Sequence, residues 1–254
     1  MRITQTFYDH LAPHYDKLFL DWETDVGGQA ALLDGLFAGE GYDRSARILD
    51  CACGIGTQAI GLAALGYAVS ASDLSCGALN QARKRAAERK LTIDFREADF
   101  RALPECFFRQ FDIVIAMDNA LPHMLTHSDL KTAVQSIMGC VAPGGLLVAS
   151  IRDYDALLLT KPSYSPPYIH QTAQGQRVSF QTWQWAGETY QLIQYIIEDG
   201  EFLQTHKFVC EYRATRREEL SALLSACGCS SVSWRFPADT GFYQPIVIAR
   251  KEQL

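Results

Sequence analysis

Between residues 47 and 153, short apolar runs alternate with stretches in which apolar residues recur every three or four positions. The short runs predict buried strands, and the periodic stretches predict amphipathic helices. Regular alternation of the two is typical of a parallel sheet with crossover helices. The predicted strands are Ile48–Cys51, Ala68–Ser72, Ile93–Glu97, Asp112–Met117 and Leu146–Ile151.

Polar and flexible residues mark the ends of the predicted helices. Ser75 and Ser128 each precede a stretch of helical periodicity, and a serine oxygen can accept a hydrogen bond from the free amides of a first helical turn. Pro143-Gly144-Gly145 follows the second of these helices. We expect it to end that helix and to turn into the fifth strand.

The pattern changes after Asp153. Lys161–Pro167 is rich in proline and serine and predicts a loop. Val178–Arg213 contains three stretches dense in aromatic and β-branched residues, with turn sequences at Ala186-Gly187-Glu188 and Glu198–Glu201. This segment predicts an antiparallel meander.

A last helix and two closing strands complete the predicted fold. Thr215 and Glu218 have the spacing of a capping box, and Gly228 stands where a C-terminal capping glycine is expected. Ser231–Phe236 and Pro245–Arg250 are the closing strands. The predicted fold class is α/β: a Rossmann-like, doubly wound, mostly parallel seven-stranded sheet with an inserted antiparallel β meander.

Composition and charge narrow the classes of function. The chain has 254 residues, 48% of them hydrophobic and 20% charged, as in an ordinary globular protein. Its net charge of −6 disfavours nucleic acid and anionic membrane surfaces as partners. There is no leader pattern and no apolar run near the ~18 residues that span a bilayer. We therefore expect a cytoplasmic protein with reduced cysteines.

Cysteine and histidine spacing does not predict a metal site. The cysteines include C-x-C pairs but no C-x-x-C pair. His10/His14 and His123/His127 are each four residues apart, but neither pair has the glutamate of an H-E-x-x-H motif or an evident third ligand. The expectation from sequence is that no metal is bound.

The turn after the first strand, within Ile48–Ala59, is the main candidate binding site. Gly54, Gly56 and Ala59 fit the G-x-G-x-x-A pattern of dinucleotide sites. Asp73 follows about twenty residues later at a strand end, where a carboxylate can accept both hydroxyls of a ribose. Enzymes of NAD and of S-adenosylmethionine both use such an acid, so this pattern alone leaves both cofactors open.

Five motifs in order resemble those of class I S-adenosylmethionine-dependent methyltransferases. They are D-x-x-C-G-x-G at Asp50–Gly56, S-D-L-S at Ser72–Ser75, E-A-D-F at Glu97–Phe100, D-N-A-L-P-H at Asp118–His123 and P-G-G-L-L-V at Pro143–Val148. The resemblance favours S-adenosylmethionine, with S-adenosylhomocysteine as product, over NAD. This cofactor has no phosphate, and its carboxylate suits the free amides of a helix start.

The resemblance implies a set of cofactor-binding residues. Asp73 would bind the ribose, Asp99 and Phe100 would flank adenine, and backbone groups of Ala52 and Met117 would meet the methionine part. Asp73 as a plain helix cap and Phe100 as a core aromatic are the alternatives. The full set is Tyr15, Asp50, Ala52, Gly54, Gly56, Asp73, Leu74, Asp99, Phe100, Met117 and His123.

The methyl acceptor is expected to be a small molecule. Asn119–His123 and Arg152 are most similar to glycine and sarcosine N-methyltransferases, whose arginine at this place clamps the substrate carboxylate. The catalytic candidates are Arg152, Asn119, which could orient an amine, and His123, which could line the methionine pocket or act as a base. The alternative for Arg152 is internal pairing with Asp153 or Asp155.

The resemblance also implies four segments and shows one departure. Glycine methyltransferases carry an arginine that reaches the cofactor carboxylate, where this chain has Asp25–Gln29. Ser165–Tyr168 looks like an amino-methylation motif, but it lies in the loop after the wrong strand. The segments are an N-terminal helical lid (1–46), the S-adenosylmethionine-binding core (47–153), an inserted antiparallel segment over the substrate (154–214) and the closing elements of the core (215–254).

Two other functions stay open at this stage. Trp183, Trp185 and Tyr190 could wall a pocket for an aromatic metabolite, or could simply pack the meander. A non-catalytic S-adenosylmethionine-binding protein is the second alternative. The expected partner is a small-molecule acceptor, with no nucleic acid and no membrane, and self-association into a homo-oligomer is left open.

Overall fold

The computed structural model describes residues 2–253. Its strands are β1 (Arg47–Asp50), β2 (Ala68–Asp73), β3 (Asp94–Glu97), β4 (Phe111–Ala116), β5 (Val141–Ser150), β6 (Tyr168–Thr172), β7 (Gly175–Ala186), β8 (Thr189–Asp199), β9 (Leu203–Arg213), β10 (Cys229–Arg235) and β11 (Ile246–Lys251). Its α-helices are α1 (Arg2–Leu11), α2 (Trp22–Gly39), α3 (Thr57–Ala64), α4 (Cys76–Glu88), α5 (Leu103–Cys106), α6 (His127–Cys140), α7 (Tyr154–Thr160), α8 (Arg217–Ala226) and α9 (Pro237–Thr240).

The strands form a seven-stranded and a four-stranded sheet. The larger has the order β10-β11-β5-β4-β1-β2-β3, in which β1 to β5 are parallel and β11 runs antiparallel to both β5 and β10. The smaller is the antiparallel sheet β6-β7-β8-β9. Nearly all of β1 and β4 is buried, as expected for parallel strands covered on both faces. The predicted fold class is confirmed.

Two predicted helix starts were wrong. The N-cap of α6 is Thr126, whose Oγ1 accepts the amide of Asp129 at 3.0 Å, so Ser128 lies inside the first turn. The helix α8 begins at Arg217, and the hydroxyl of Thr215 is buried without a hydrogen-bond partner among residues 2–253. A threonine hydroxyl so placed cannot cap a helix.

Two further boundaries differ from the prediction. Pro143–Gly145 does not end α6, because the helix stops at Cys140 and this tripeptide is part of β5. The strand β6 was not predicted, since four of its five residues are exposed and it pairs with β7 alone. An edge strand of this kind lacks the apolar alternation that marks a buried strand. Gly228, with φ of +82°, does stand just after α8 as predicted.

The N-terminal segment comprises α1, a 3₁₀ helix (Ala12–Leu18) and α2. Helix α1 packs against both α4 and β9. Oδ1 of Asp9 accepts from Ser75 Oγ at 2.6 Å and from the Gly77 amide at 2.9 Å. The segment is thereby fixed to the start of α4, next to the carboxyl end of β2.

Within residues 2–253, no helix combines the length and apolar character that a membrane span requires.

Replacing Gly56 by alanine should destabilise the protein more than the same change at Gly66. Both glycines have left-handed φ, +94° and +102°, so both variants carry backbone strain of ~1–3 kcal/mol. A Cβ at Gly56 would also lie 2.7 Å from Cδ1 of Ile60, whereas Gly66 has open space. Urea unfolding of the two variants measures the difference; equal losses would contradict it.

Candidate active site

The glycine loop between β1 and α3 is held against the end of β2. The amide of Gly54 donates to Oδ2 of Asp73 at 2.8 Å, and the amide of Cys53 donates to the carbonyl of Ser72 at 2.9 Å. Gly54 and Gly56 have φ of +52° and +94°, which glycine adopts without a side-chain penalty. The loop leads into α3 with no side-chain cap, so the first amides of that helix are available to an anion.

Asp73 is not the cap of α4. That cap is Ser75, whose Oγ accepts the Ala78 amide at 3.0 Å, so the helix-cap alternative for Asp73 was wrong. Asp73 accepts a second amide hydrogen bond, from Ser75 at 2.8 Å. Burial raises the pKa of Asp73 above its usual value, and the two amide hydrogen bonds oppose that shift. A carboxylate has about four acceptor positions, so acceptor capacity remains for ribose hydroxyls.

A cavity with an empty volume of about 800 Å³ lies beside this loop and is called the first cavity. The predicted cofactor residues that line it are Tyr15, Ala52, Gly54, Asp73, Leu74, Asp99, Phe100, Met117 and His123. Asp50 and Gly56 are not in the lining. The contacts of all these residues with a cofactor stay predictions.

Asp50 supports the loop from beneath. It is fully buried, its Oδ1 lies 3.4 Å from the amide of Ala52, and its Oδ2 has no hydrogen-bond partner in residues 2–253. Burial raises the pKa of Asp50 to about 8. At neutral pH the side chain is therefore largely protonated and acts as a neutral group behind the loop.

Asp99 and Phe100, the residues predicted to flank adenine, both line the first cavity. The carboxylate of Asp99 forms an ion pair with Arg101 at 2.9 Å, which fixes its orientation. Phe100 both lines the cavity and packs against the hydrophobic core. Its position is therefore compatible with a residue that flanks adenine and with a core aromatic residue.

His123 is a neutral imidazole in this environment. Its Nε2 lies 2.9 Å from the hydroxyl of Tyr8, and its ring centroid lies 4.1 Å from that of Tyr212. Burial lowers the pKa of His123 to about 3. An imidazole with so low a pKa is a weak proton acceptor, so the geometry favours His123 as a wall of the first cavity.

A larger second cavity, with an empty volume of about 1950 Å³, lies between the N-terminal segment, the ends of β4 and β5, and the smaller sheet. It shares Tyr8, Tyr15 and Asp118 with the first cavity. Arg152 and Asn119 line it, as do aromatic residues such as Trp183. A molecule in the second cavity would therefore be next to one in the first.

Asp118 lies at the junction of the two cavities. Its Oδ1 accepts from the hydroxyl of Tyr243 at 2.7 Å, and its Oδ2 accepts from Nε2 of Gln58 at 2.8 Å. Burial raises the pKa of Asp118, and these two donors oppose the shift. Sequence reasoning missed Tyr243. The signal in the sequence was the antiparallel closing strand β11. Its direction places the residues before Ile246, including Tyr243, beside Ser150, where the carboxyl ends of the parallel strands lie.

Asn119 fixes the loop after β5. Its Oδ1 accepts from the amide of Arg152 at 3.0 Å, and its Nδ2 donates to the hydroxyl of Tyr154, also at 3.0 Å. The side chain is 3% exposed. Both polar atoms of the amide are therefore engaged within the protein, and the side chain positions Arg152.

The guanidinium of Arg152 faces neutral groups. It donates to the hydroxyl of Tyr190 at 3.1 Å and to Oε1 of Gln181 at 2.9 Å, and it lies 4.9 Å from the ring centroid of Trp183. Within the described part of the chain it forms no ion pair with a carboxylate. The alternative of internal pairing was wrong, because Asp153 and Asp155 both pair with Arg217.

Residues 48–145 match a family model described as a methyltransferase domain. Over these residues, about two fifths of the chain, the protein resembles that family. A solved S-adenosylmethionine-dependent methyltransferase from Clostridium acetobutylicum shares the fold of the chain, with a TM-score of 0.76 at 17% identity over 96% of this chain and 99% of that one. The resemblance to S-adenosylmethionine-dependent methyltransferases is confirmed, and the name of that enzyme supports S-adenosylmethionine as the cofactor.

Relatives of the methyltransferase domain include enzymes with small acceptors. A glycine/sarcosine N-methyltransferase of Parasynechococcus marenigrum is 27% identical over 61% of this chain and 53% of its own length. The glycine N-methyltransferase of Mus musculus is 34% identical over 45% of this chain and 43% of its own. The chain thus matches about half the length of these curated relatives.

Replacing Asp50 by asparagine should make stability less dependent on pH. The pKa of Asp50 in the folded protein, about 8, exceeds its ordinary value of about 4. Its contribution to stability is thus complete below pH ~4 and is lost as the pH rises through ~8. Asparagine mimics the protonated acid and does not titrate. When the pH is raised from about 5 to about 9, the free energy of unfolding of the variant should therefore rise by ~1 kcal/mol or more relative to that of the parent.

Urea unfolding at the two pH values measures this gain. Asp43→Asn is the control, because Asp43 is exposed and its pKa is lowered by the hydrogen bonds from Ser45. A parallel pH dependence for Asp50→Asn and the parent would contradict the assignment of a protonated Asp50.

Proposed function

We propose that this protein transfers a methyl group from S-adenosylmethionine to the amine of a small acceptor that carries a carboxylate. The observation that carries the proposal is the guanidinium of Arg152, which lines the second cavity among neutral partners. Burying a cation away from water is costly unless an opposite charge or several hydrogen bonds compensate it. An acceptor carboxylate would supply the missing charge.

The first cavity fits the cofactor. Free amides at the start of α3 suit its carboxylate, the remaining acceptor positions of Asp73 suit the ribose, and Phe100 offers a face to adenine. When bound, S-adenosylmethionine supplies an electrophilic methyl group on a sulfonium. The junction residues Tyr8, Tyr15 and Asp118 are where that methyl group and the acceptor would have to meet.

Catalysis by this site would rest on positioning. Holding two reactants in line can supply ~7–11 kcal/mol of the barrier. The transfer step itself needs an uncharged amine and no proton acceptor, which agrees with the low pKa of His123. Arg152 would hold one end of the acceptor, with its backbone fixed by Asn119. The carboxylate of Asp118 would face the amine end.

The names of the relatives agree with this acceptor class. Glycine and sarcosine are amines that carry a carboxylate, and these are the acceptors in the names of the relatives described above. An aromatic acceptor has less support. Of the three aromatic residues named for it, only Trp183 lines the second cavity, whereas Trp185 donates to the carbonyl of Pro162 and the hydroxyl of Tyr190 is bound by Arg152.

Replacing Arg152 by methionine should raise KM for the carboxylate acceptor. Methionine keeps the apolar packing but removes the charge. Losing a buried charged partner costs ~2–5 kcal/mol, so KM should rise about thirtyfold or more. Steady-state kinetics with glycine-like amino acids, identified first by a metabolite turnover screen, measure the change. Calorimetry with S-adenosylhomocysteine should show unchanged cofactor affinity.

The amide of the same acceptor is the matched control substrate. It lacks the negative charge, so the variant and the parent should use it with similar KM. Loss of cofactor binding in Arg152→Met, or an equal penalty with the amide, would contradict the assignment. A protein that binds cofactor but turns over nothing in the screen would instead be the non-catalytic binder.

A further inference from the structure

A cluster of two histidines and a glutamate joins the N-terminal segment to the smaller sheet. His14 lies in the 3₁₀ helix, Glu198 in β8 and His206 in β9. A ligand atom from each residue lies within 4.8 Å of one from each of the other two. The imidazole centroids of His14 and His206 are 4.0 Å apart. None of the three lines the first or the second cavity.

The strand register explains how Glu198 and His206 come together. In the antiparallel pair of β8 and β9, Ile196 is opposite His206 and Glu198 is opposite Gln204. Glu198 and His206 are therefore diagonal neighbours on one face of the sheet. The N-terminal segment then lays His14 over this face. No local spacing in the sequence shows the cluster, since its members are far apart along the chain.

Two ring nitrogens in the cluster are buried without a hydrogen bond. They are Nδ1 of His14 and Nε2 of His206, which have no hydrogen-bond partner in the described part of the chain. Nε2 of His206 lies 3.5 Å from Oε2 of Glu198, which is ion-pair distance but not a hydrogen bond. An unsatisfied buried polar atom costs ~1–3 kcal/mol, so two such atoms on the residues of one cluster require a physical reason.

We propose that His14, Glu198 and His206 bind a divalent transition-metal ion of the zinc type. Two imidazoles and one carboxylate leave a fourth position open, a donor set that suits Zn²⁺ and Co²⁺. Ca²⁺ and Mg²⁺ prefer sites made of oxygen ligands. This assignment replaces the expectation from sequence that no metal is bound, and it does not depend on the proposed function.

The carboxylate of the cluster already has one cationic partner in the N-terminal segment. Nζ of Lys17 lies 2.6 Å from Oε2 of Glu198. Lys17 therefore competes with an ion for the carboxylate and must move aside when an ion binds.

An ion in this cluster would cross-link the N-terminal segment to β8 and β9. The same segment contributes Tyr8 and Tyr15 to both cavities. Occupancy of the site would thus favour the arrangement in which the N-terminal segment covers the cavities.

The test is a titration of the full-length, tag-free protein with Zn²⁺ by isothermal calorimetry. We expect one ion per chain, and His14→Gln and His206→Gln should each lower the affinity by about tenfold or more. His10→Gln is the matched control, because His10 lies on the adjacent helix and is exposed. It should bind like the parent. Lys17→Met should bind more tightly than the parent, a gain that misfolding cannot produce.

Cobalt substitution separates this site from the cysteines, all eight of which are free thiols. The Co²⁺ spectrum should show the bands of nitrogen and oxygen coordination without a thiolate charge-transfer band. The proposal would be overturned if the protein bound no Zn²⁺, or if the Co²⁺ spectrum contained a thiolate band. It would also be overturned if the two histidine variants and Lys17→Met all bound Zn²⁺ with the affinity of the parent.

Discussion

The positive charge of Arg152, which no carboxylate among residues 2–253 neutralises, is the constraint that gives the second cavity its character. The neighbouring acids that would neutralise it, Asp153 and Asp155, are both bound by Arg217. The groups that do contact the guanidinium are a phenol, an amide and an indole ring. Such partners orient a cation without cancelling its charge. The cavity consequently presents a fixed positive end to whatever enters it.

The rest of the site would place the cofactor relative to that end. The hydrogen bond from Gly54 to Asp73 joins the tips of β1 and β2, and it shapes the loop at the mouth of α3. Asp118 connects the two cavities and is held by donors from α3 and from the residues before β11. Elements distant in sequence thus fix the direction in which the two reactants would face each other.

The parts of the fold that follow from local pattern were predictable. The strands β1, β2, β4 and β5 are apolar runs buried on both faces, and parallel strands bring their carboxyl ends to one edge, so Asp73, Asn119 and Arg152 could be placed near one another. Helix starts were less certain, because Ser128 and the true cap Thr126 have the same capping chemistry.

Other features depend on contacts that no local pattern encodes. The pairing of Tyr243 with Asp118 requires the register of β11, and the pairing of Asp155 with Arg217 requires the position of α8. The cluster of His14, Glu198 and His206 requires both the register of β8 with β9 and the path of the N-terminal segment. Spacing between neighbouring histidines therefore gives no sign of this cluster.

The most direct measurement is a crystal structure of the protein with S-adenosylhomocysteine and a glycine-like acceptor. We predict that the acceptor carboxylate contacts the guanidinium of Arg152 through hydrogen bonds, and that the amine is directed toward Asp118 at the junction of the cavities. An acceptor bound elsewhere, with Arg152 still held only by Tyr190 and Gln181, would contradict it.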